Sequence, residues 1–155
     1  MAPVRSRWFR RKRVLWVIVG LTVTMAAIQL VPYGKDHTPQ AAGKPFIWNS
    51  PQAEAIARRS CYDCHSNETK WWWAIEIAPF SWLAQSDIDE ARQRVNFSEW
   101  SGQLTVNGLQ WVVNRGMPPM QYTIVHPDSK LTDEQKRTLV KGFQESMNGN
   151  GASSP

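Results

Sequence analysis

Apolar residues follow two different patterns along this chain. Residues 14–31 form one run, interrupted only by Gly20, Thr22, Thr24 and Gln29 and stopped by Pro32. A helix of that length spans about 27 Å at about 1.5 Å per residue, close to the about 30 Å of a bilayer core. Beyond residue 50 the apolar positions recur every three or four residues, the period of a helix with one buried face. Ser50-Pro51 starts the first such helix, with serine as N-cap and proline at the first turn. Pro79 or Ser81 opens a second, with Trp82, Leu83, Ile88, Ala91 and Val95 on its apolar stripe and Arg92 among its polar residues. A third runs over residues 103–115 and ends at Gly116, and Thr132 with Gln135 forms a capping box for a fourth. Alternating strand patterns are few. The fold class is all-α: a compact helical domain preceded by one N-terminal transmembrane helix.

Charge orients the first segment. Arg5, Arg7, Arg10, Arg11, Lys12 and Arg13 precede the apolar run with no acid among them, and such a cluster stays on the cytoplasmic side. The run is longer than a typical signal-peptide core and no A-x-A site follows it, so an uncleaved anchor is favoured over a cleaved leader. Trp8, Trp16 and Tyr33 lie near its ends, where aromatic rings favour the membrane interface. Removing the six basic residues from 18 Lys and Arg leaves 12 against 13 Asp and Glu, so the part beyond the run carries −1. The basic pI of 9.5 describes the anchor, and no patch remains for nucleic acid. The chain then divides into a basic cytoplasmic segment (1–13), an anchor (14–31), a Pro- and Gly-rich tether (32–49), one domain (50–147) and a frayed tail (148–155).

Cys61-Tyr62-Asp63-Cys64-His65 spells C-x-x-C-H, and these are the only cysteines. The spacing is that of a c-type haem site. Two thiols add across the porphyrin vinyl groups as thioethers, and the adjacent histidine is carried under the iron as proximal ligand. Three other uses of the motif are a disulfide, a thioredoxin-like pair and a zinc knuckle. The first two lack a supporting framework, and the third lacks nearby ligands, since His37 and His126 are distant in sequence. For the distal ligand, Met117 leads: it lies between helix-ending Gly116 and Pro118-Pro119, on a stiff loop suited to a weak thioether donor. Met120 and His126 follow, then His37. Of Trp71, Trp72 and Trp73, which cannot all face one way, at least one is expected at the surface, against a membrane or a partner. Arg58, Arg59 and Lys70 are available to haem propionates. So small a domain has little core of its own, and the chain without haem is expected to fold poorly.

Taken together, Cys61-Tyr62-Asp63-Cys64-His65-Ser66-Asn67-Glu68-Thr69, Ala78-Pro79-Phe80-Ser81-Trp82, Asn96-Phe97-Ser98-Glu99-Trp100 and Met117-Pro118-Pro119 with Tyr122 and His126-Pro127 resemble the haem-binding domain family of small bacterial c-type cytochromes. The resemblance runs from about Pro51 to Phe143. It implies a monohaem helical domain with Met117 in the family's Met-Pro-Pro position, and no defined reaction. The chain departs from the family in lacking an acidic residue at Arg115-Gly116-Met117 and in its three consecutive tryptophans. The function expected is single-electron transfer on the periplasmic side of the cytoplasmic membrane, with no enzymatic activity. The cofactor expected is one covalent haem c. The partners expected are respiratory-chain redox proteins, the haem maturation machinery and the membrane. An accessory subunit of a membrane complex, and a haem sensor or peroxidase-like protein with an open distal site, are the alternatives.

Overall fold

The computed structural model describes residues 4–35, 37 and 43–151; parts of the basic segment, the tether and the tail lie outside these. Every regular element among the described residues is helical. The α-helices are α1 (Val4–Ile28), α2 (Pro51–Ser60), α3 (Tyr62–His65), α4 (Phe80–Arg94), α5 (Val106–Asn114), α6 (Met120–Val125) and α7 (Asp133–Gly151), with 3₁₀ turns at Trp73–Glu76 and Pro127–Ser129. The chain forms two compact units, one from the residues up to His37 with Trp71–Ser86 and another from the rest.

In the first unit, α1 exposes its large apolar side chains on all sides, each at 41 % or more from Trp8 to Met25. The helix stops at Ile28, three residues short of the end of the apolar run. Its apolar part, residues 14–28, is about 22 Å long. Extending it backwards takes in Arg13, Lys12 and Arg11, and among the described residues no helix is long and apolar enough to cross a membrane.

In the second unit, α2 packs on α7, and α5 packs on α7 as well. Ser50 caps α2 by accepting from the Ala53 amide, and Thr105 caps α5 by accepting from the Gly108 amide. Thr132 and Gln135 exchange hydrogen bonds as the capping box requires, at 2.9 and 3.2 Å. Leu139 and Phe143, one turn apart on α7, are buried with Leu109 and Val113 of α5 and Ile56 and Ala57 of α2.

Several expectations are corrected. The α7 helix continues through Gly151, into the stretch read as tail. Phe46 and Trp48 lie within the stretch read as tether. Phe46 is nevertheless buried among Phe97, Trp100 and Phe143, and Trp48 packs on Phe97 and Phe143. Two flanking aromatic residues bury too much apolar area to remain in a solvated linker. On α4, Ile88 is buried while Leu83 is exposed. Five positions at about 100° each put the two on different faces. On α5, Trp111 is exposed and Val113 buried, since two positions at about 100° each put them on different faces.

α2 and its N-cap lie close against α7 at Gly142. A Cβ there would meet Ala53 and would lie 2.8 Å from the Ser50 Cβ. Gly142→Ala is therefore expected to destabilise the domain. Overpacking costs about 1–3 kcal/mol, against about 1 kcal/mol gained in helix propensity. Urea unfolding of the haem-loaded protein measures the difference, and a stabilised variant would contradict the close crossing.

Candidate haem site

The motif sits at the junction of α2 and α3. The Cys61 amide donates to the Ala57 carbonyl at 2.7 Å, and the His65 amide donates to the Cys61 carbonyl at 2.9 Å. One tight turn thus carries both thiols and the imidazole. Cys61 and Cys64 are free and partly buried. Burial pushes the Cys61 thiol up to about 12, and burial with the nearby Asp63 carboxylate pushes Cys64 to about 11. Both are protonated thiols at neutral pH. Among the described residues, no group of three or more His, Cys, Asp or Glu side chains could hold a metal ion.

The His65 imidazole is oriented by the end of α4. Its Nδ1 lies 3.1 Å from the Ala91 carbonyl and 3.1 Å from the Val95 carbonyl. A carbonyl oxygen only accepts, so Nδ1 must carry the hydrogen, which leaves the lone pair on Nε2. Burial lowers the His65 pKa, partly offset by these two bonds. The ring is neutral at pH 7 and presents one free donor nitrogen, the form that binds iron.

A hydrogen-bonded frame fixes the backbone after His65. The Phe97 amide donates to the His65 carbonyl at 2.8 Å, and Asn96 Nδ2 donates to Asn67 Oδ1 at 2.9 Å. The Asn67 amide donates to Ser98 Oγ, and Ser66 Oγ donates to the Tyr62 carbonyl. This accounts for the Asn96-Phe97-Ser98 block. Arg92 does not face solvent with its polar neighbours. Its Nε donates to the Ser66 carbonyl and its Nη2 to Thr69 Oγ1, both at 2.9 Å. Burial lowers its pKa. Helical phase could have revealed this, since Arg92 lies one turn from Ile88 on the buried side.

Met117 follows Gly116, whose φ of +107° ends α5, and its amide donates to the Val112 carbonyl at 3.1 Å. It is 45 % exposed. The stretch after it is not wholly extended: α6 begins at Met120, whose side chain is exposed rather than packed in the core. Tyr122, in α6, donates from its hydroxyl to Asp63 Oδ2 at 2.6 Å. That bond ties the segment after Met117 to the second variable position of C-x-x-C-H. Burial first, then this hydrogen bond, raises the Tyr122 pKa, so the phenol stays a donor. His126 packs its ring against Tyr122, with centroids 4.5 Å apart. Arg58 is engaged by Glu54 at 2.8 Å and Glu68 at 2.6 Å. His37 lies in the other unit, stacked on Trp71.

Tyr122→Phe leaves the Asp63 carboxylate without its phenol. The change is expected to cost about 1.5–3 kcal/mol of stability, the range for a hydrogen bond to a charged group. It is also expected to loosen the Met117 loop. Denaturant titration, with the haem optical spectrum followed in parallel, reads both effects, and an unchanged midpoint would remove the clasp from the account.

A histidine with a lone pair on Nε2 and two unpaired thiols one turn away are groups of the kind that can hold a haem. A family model described as haem-binding domain matches residues 23–145. No curated protein and no solved structure matches the chain.

Proposed function

Because the chain belongs to the haem-binding domain family, we propose that it is a monohaem c-type cytochrome that carries single electrons. Cys61 and Cys64 would hold the porphyrin by thioether bonds, His65 Nε2 would be the proximal iron ligand and Met117 the distal one. The bound haem supplies one-electron exchange between ferric and ferrous iron. The observation that carries the reading is the orientation of His65, whose Nδ1–H is spent on Ala91 and Val95 so that only Nε2 keeps a lone pair to act as a base.

The chain's own residues act by positioning. Ala91 and Val95 set the imidazole plane, Arg92 and Asn96 hold the loop behind it, and Tyr122 holds the Met117 segment to Asp63. If His65 and Met117 both held the iron, no position on it would remain for a substrate, which would suit a carrier rather than an enzyme. Residues 14–31 would anchor the protein in the cytoplasmic membrane, with the haem domain on the periplasmic side. The all-round apolar exposure of α1 beyond Arg13 and the basic cluster in its N-terminal turns support that placement. Its partners would then be respiratory-chain redox proteins, and the haem maturation machinery would load it.

Stopped-flow mixing of the ferric protein with membrane quinol–cytochrome reductase and quinol tests the function. Reduction within seconds is expected. Complete absence of exchange with this enzyme and with the terminal oxidases of the same membrane would count against electron transfer.

A further inference from the structure

The stretch Trp71–Ser86 contains sixteen residues and one charge, Glu76. The Glu76 side chain, 42 % exposed, lies beside a histidine of its own unit, with Oε1 3.0 Å from His37 Nε2. Trp73, Phe80 and Leu83 expose 74 %, 62 % and 62 % of their surface, and Ile77 is exposed as well. Phe80 and Leu83 lie one turn apart on α4. An apolar surface of this kind on a small protein marks an interaction site.

The same stretch is fastened to the end of α1. Gln29 Nε2 donates to the Ala78 carbonyl, and the Ala78 amide donates to Gln29 Oε1, each at 3.0 Å. Gly34, at a φ of +74°, lies so close to the Ser81 backbone that a Cβ would come within 2.8 Å of its carbonyl carbon. His37 stacks on Trp71 with centroids 3.7 Å apart. These contacts hold the exposed residues at the level where the apolar helix stops. The apolar part of that helix, residues 14–28, is about 8 Å shorter than a bilayer core of about 30 Å, a mismatch that residues flanking the span can accommodate.

We propose that Trp71–Ser86 is an interfacial segment, inserting Trp73, Ile77, Phe80 and Leu83 into the lipid at the C-terminal end of α1. Tryptophan and phenylalanine beside aliphatic residues suit the boundary between headgroups and acyl chains. The segment and the helix together would complete the apolar thickness that the helix lacks alone. The inference rests on the reading of residues 14–31 as a membrane anchor.

The test uses the full-length, haem-loaded, reduced protein in vesicles of phosphatidylethanolamine and phosphatidylglycerol. Phe80→Cys and Leu83→Cys each receive a nitroxide, with Lys141→Cys on exposed α7 as control. Electron paramagnetic resonance saturation then compares access of oxygen, which concentrates in lipid, with access of a water-soluble nickel chelate. The nitroxides at 80 and 83 are expected to favour oxygen several-fold, and the one at 141 to favour nickel. Nickel access at 80 and 83 equal to that at 141, in protein that still resists carbonate extraction, would overturn the interfacial segment and leave the anchor standing. Exclusion of both reagents would also overturn it, in favour of a protein covering the patch. Release by carbonate would remove the anchor and this inference together.

Discussion

Replacing Cys61 and Cys64 together by alanine is expected to abolish covalent haem and with it the cooperative melting of the domain. The two thiols are the only cysteines, and they sit on the turn that joins α2 to α3, so no other side chain can substitute for either. The loss reaches beyond the cofactor. Small domains are stable by only about 5–15 kcal/mol, and a large apolar body bonded at this turn would contribute a sizeable share. The remaining core joins the aromatic residues Phe46, Tyr62, Phe97 and Phe143 to aliphatic side chains such as Leu109 and Leu139, and Tyr62 is itself the residue after Cys61. The measurement is a haem-stained gel beside a far-ultraviolet circular dichroism melt. A variant without haem that melts sharply at the parent's temperature would show that these side chains suffice, and the view of haem as part of the core would fall.

Met117→Ala is expected to open the iron. In the parent protein, thioether ligation should give a low-spin spectrum in both redox states, with a weak far-red band in the ferric form and no shift with carbon monoxide. In the variant the far-red band should vanish and ferrous protein should bind carbon monoxide at once. The reduction potential should move by on the order of 0.1 V, a modest part of the about 0.8 V that axial ligands command. Met120→Ala, on the exposed first turn of α6, should leave the spectrum unchanged. A parent protein that already binds carbon monoxide would exclude Met117 and favour sensing or peroxide chemistry. Loss of the band in Met120→Ala instead would move the ligand three residues along the chain.

The legible parts of this molecule are those set within one turn of chain. Ser50, Thr132 and Gln135 cap their helices as their positions suggest, because each bond joins residues three apart. Gly116 ends α5 because its φ is one that residues with a Cβ rarely adopt. Trp73 is the exposed member of the three tryptophans, as the geometry of consecutive residues demands. The short helix α6 was missed because its six residues lack an N-cap bond and begin behind two prolines. Arg92 was read as solvated because charge suggested a surface, although its long apolar stem and several donors suit the half-buried place it takes.

The sequence by itself determined that this chain is helical, where α2, α4 and α7 begin, and that Cys61, Cys64 and His65 lie together on one turn, since all of these depend on neighbours within about five residues. Only the tertiary structure decided which nitrogen of His65 is free, because its carbonyl partners come from 26 and 30 residues away. It also decided that Tyr122 clasps Asp63 across 59 residues, and that Gln29 grips Ala78 across 49. Such pairs carry no local signature: their partners meet only when the helices between them have packed, and it is burial, not spacing, that selects them.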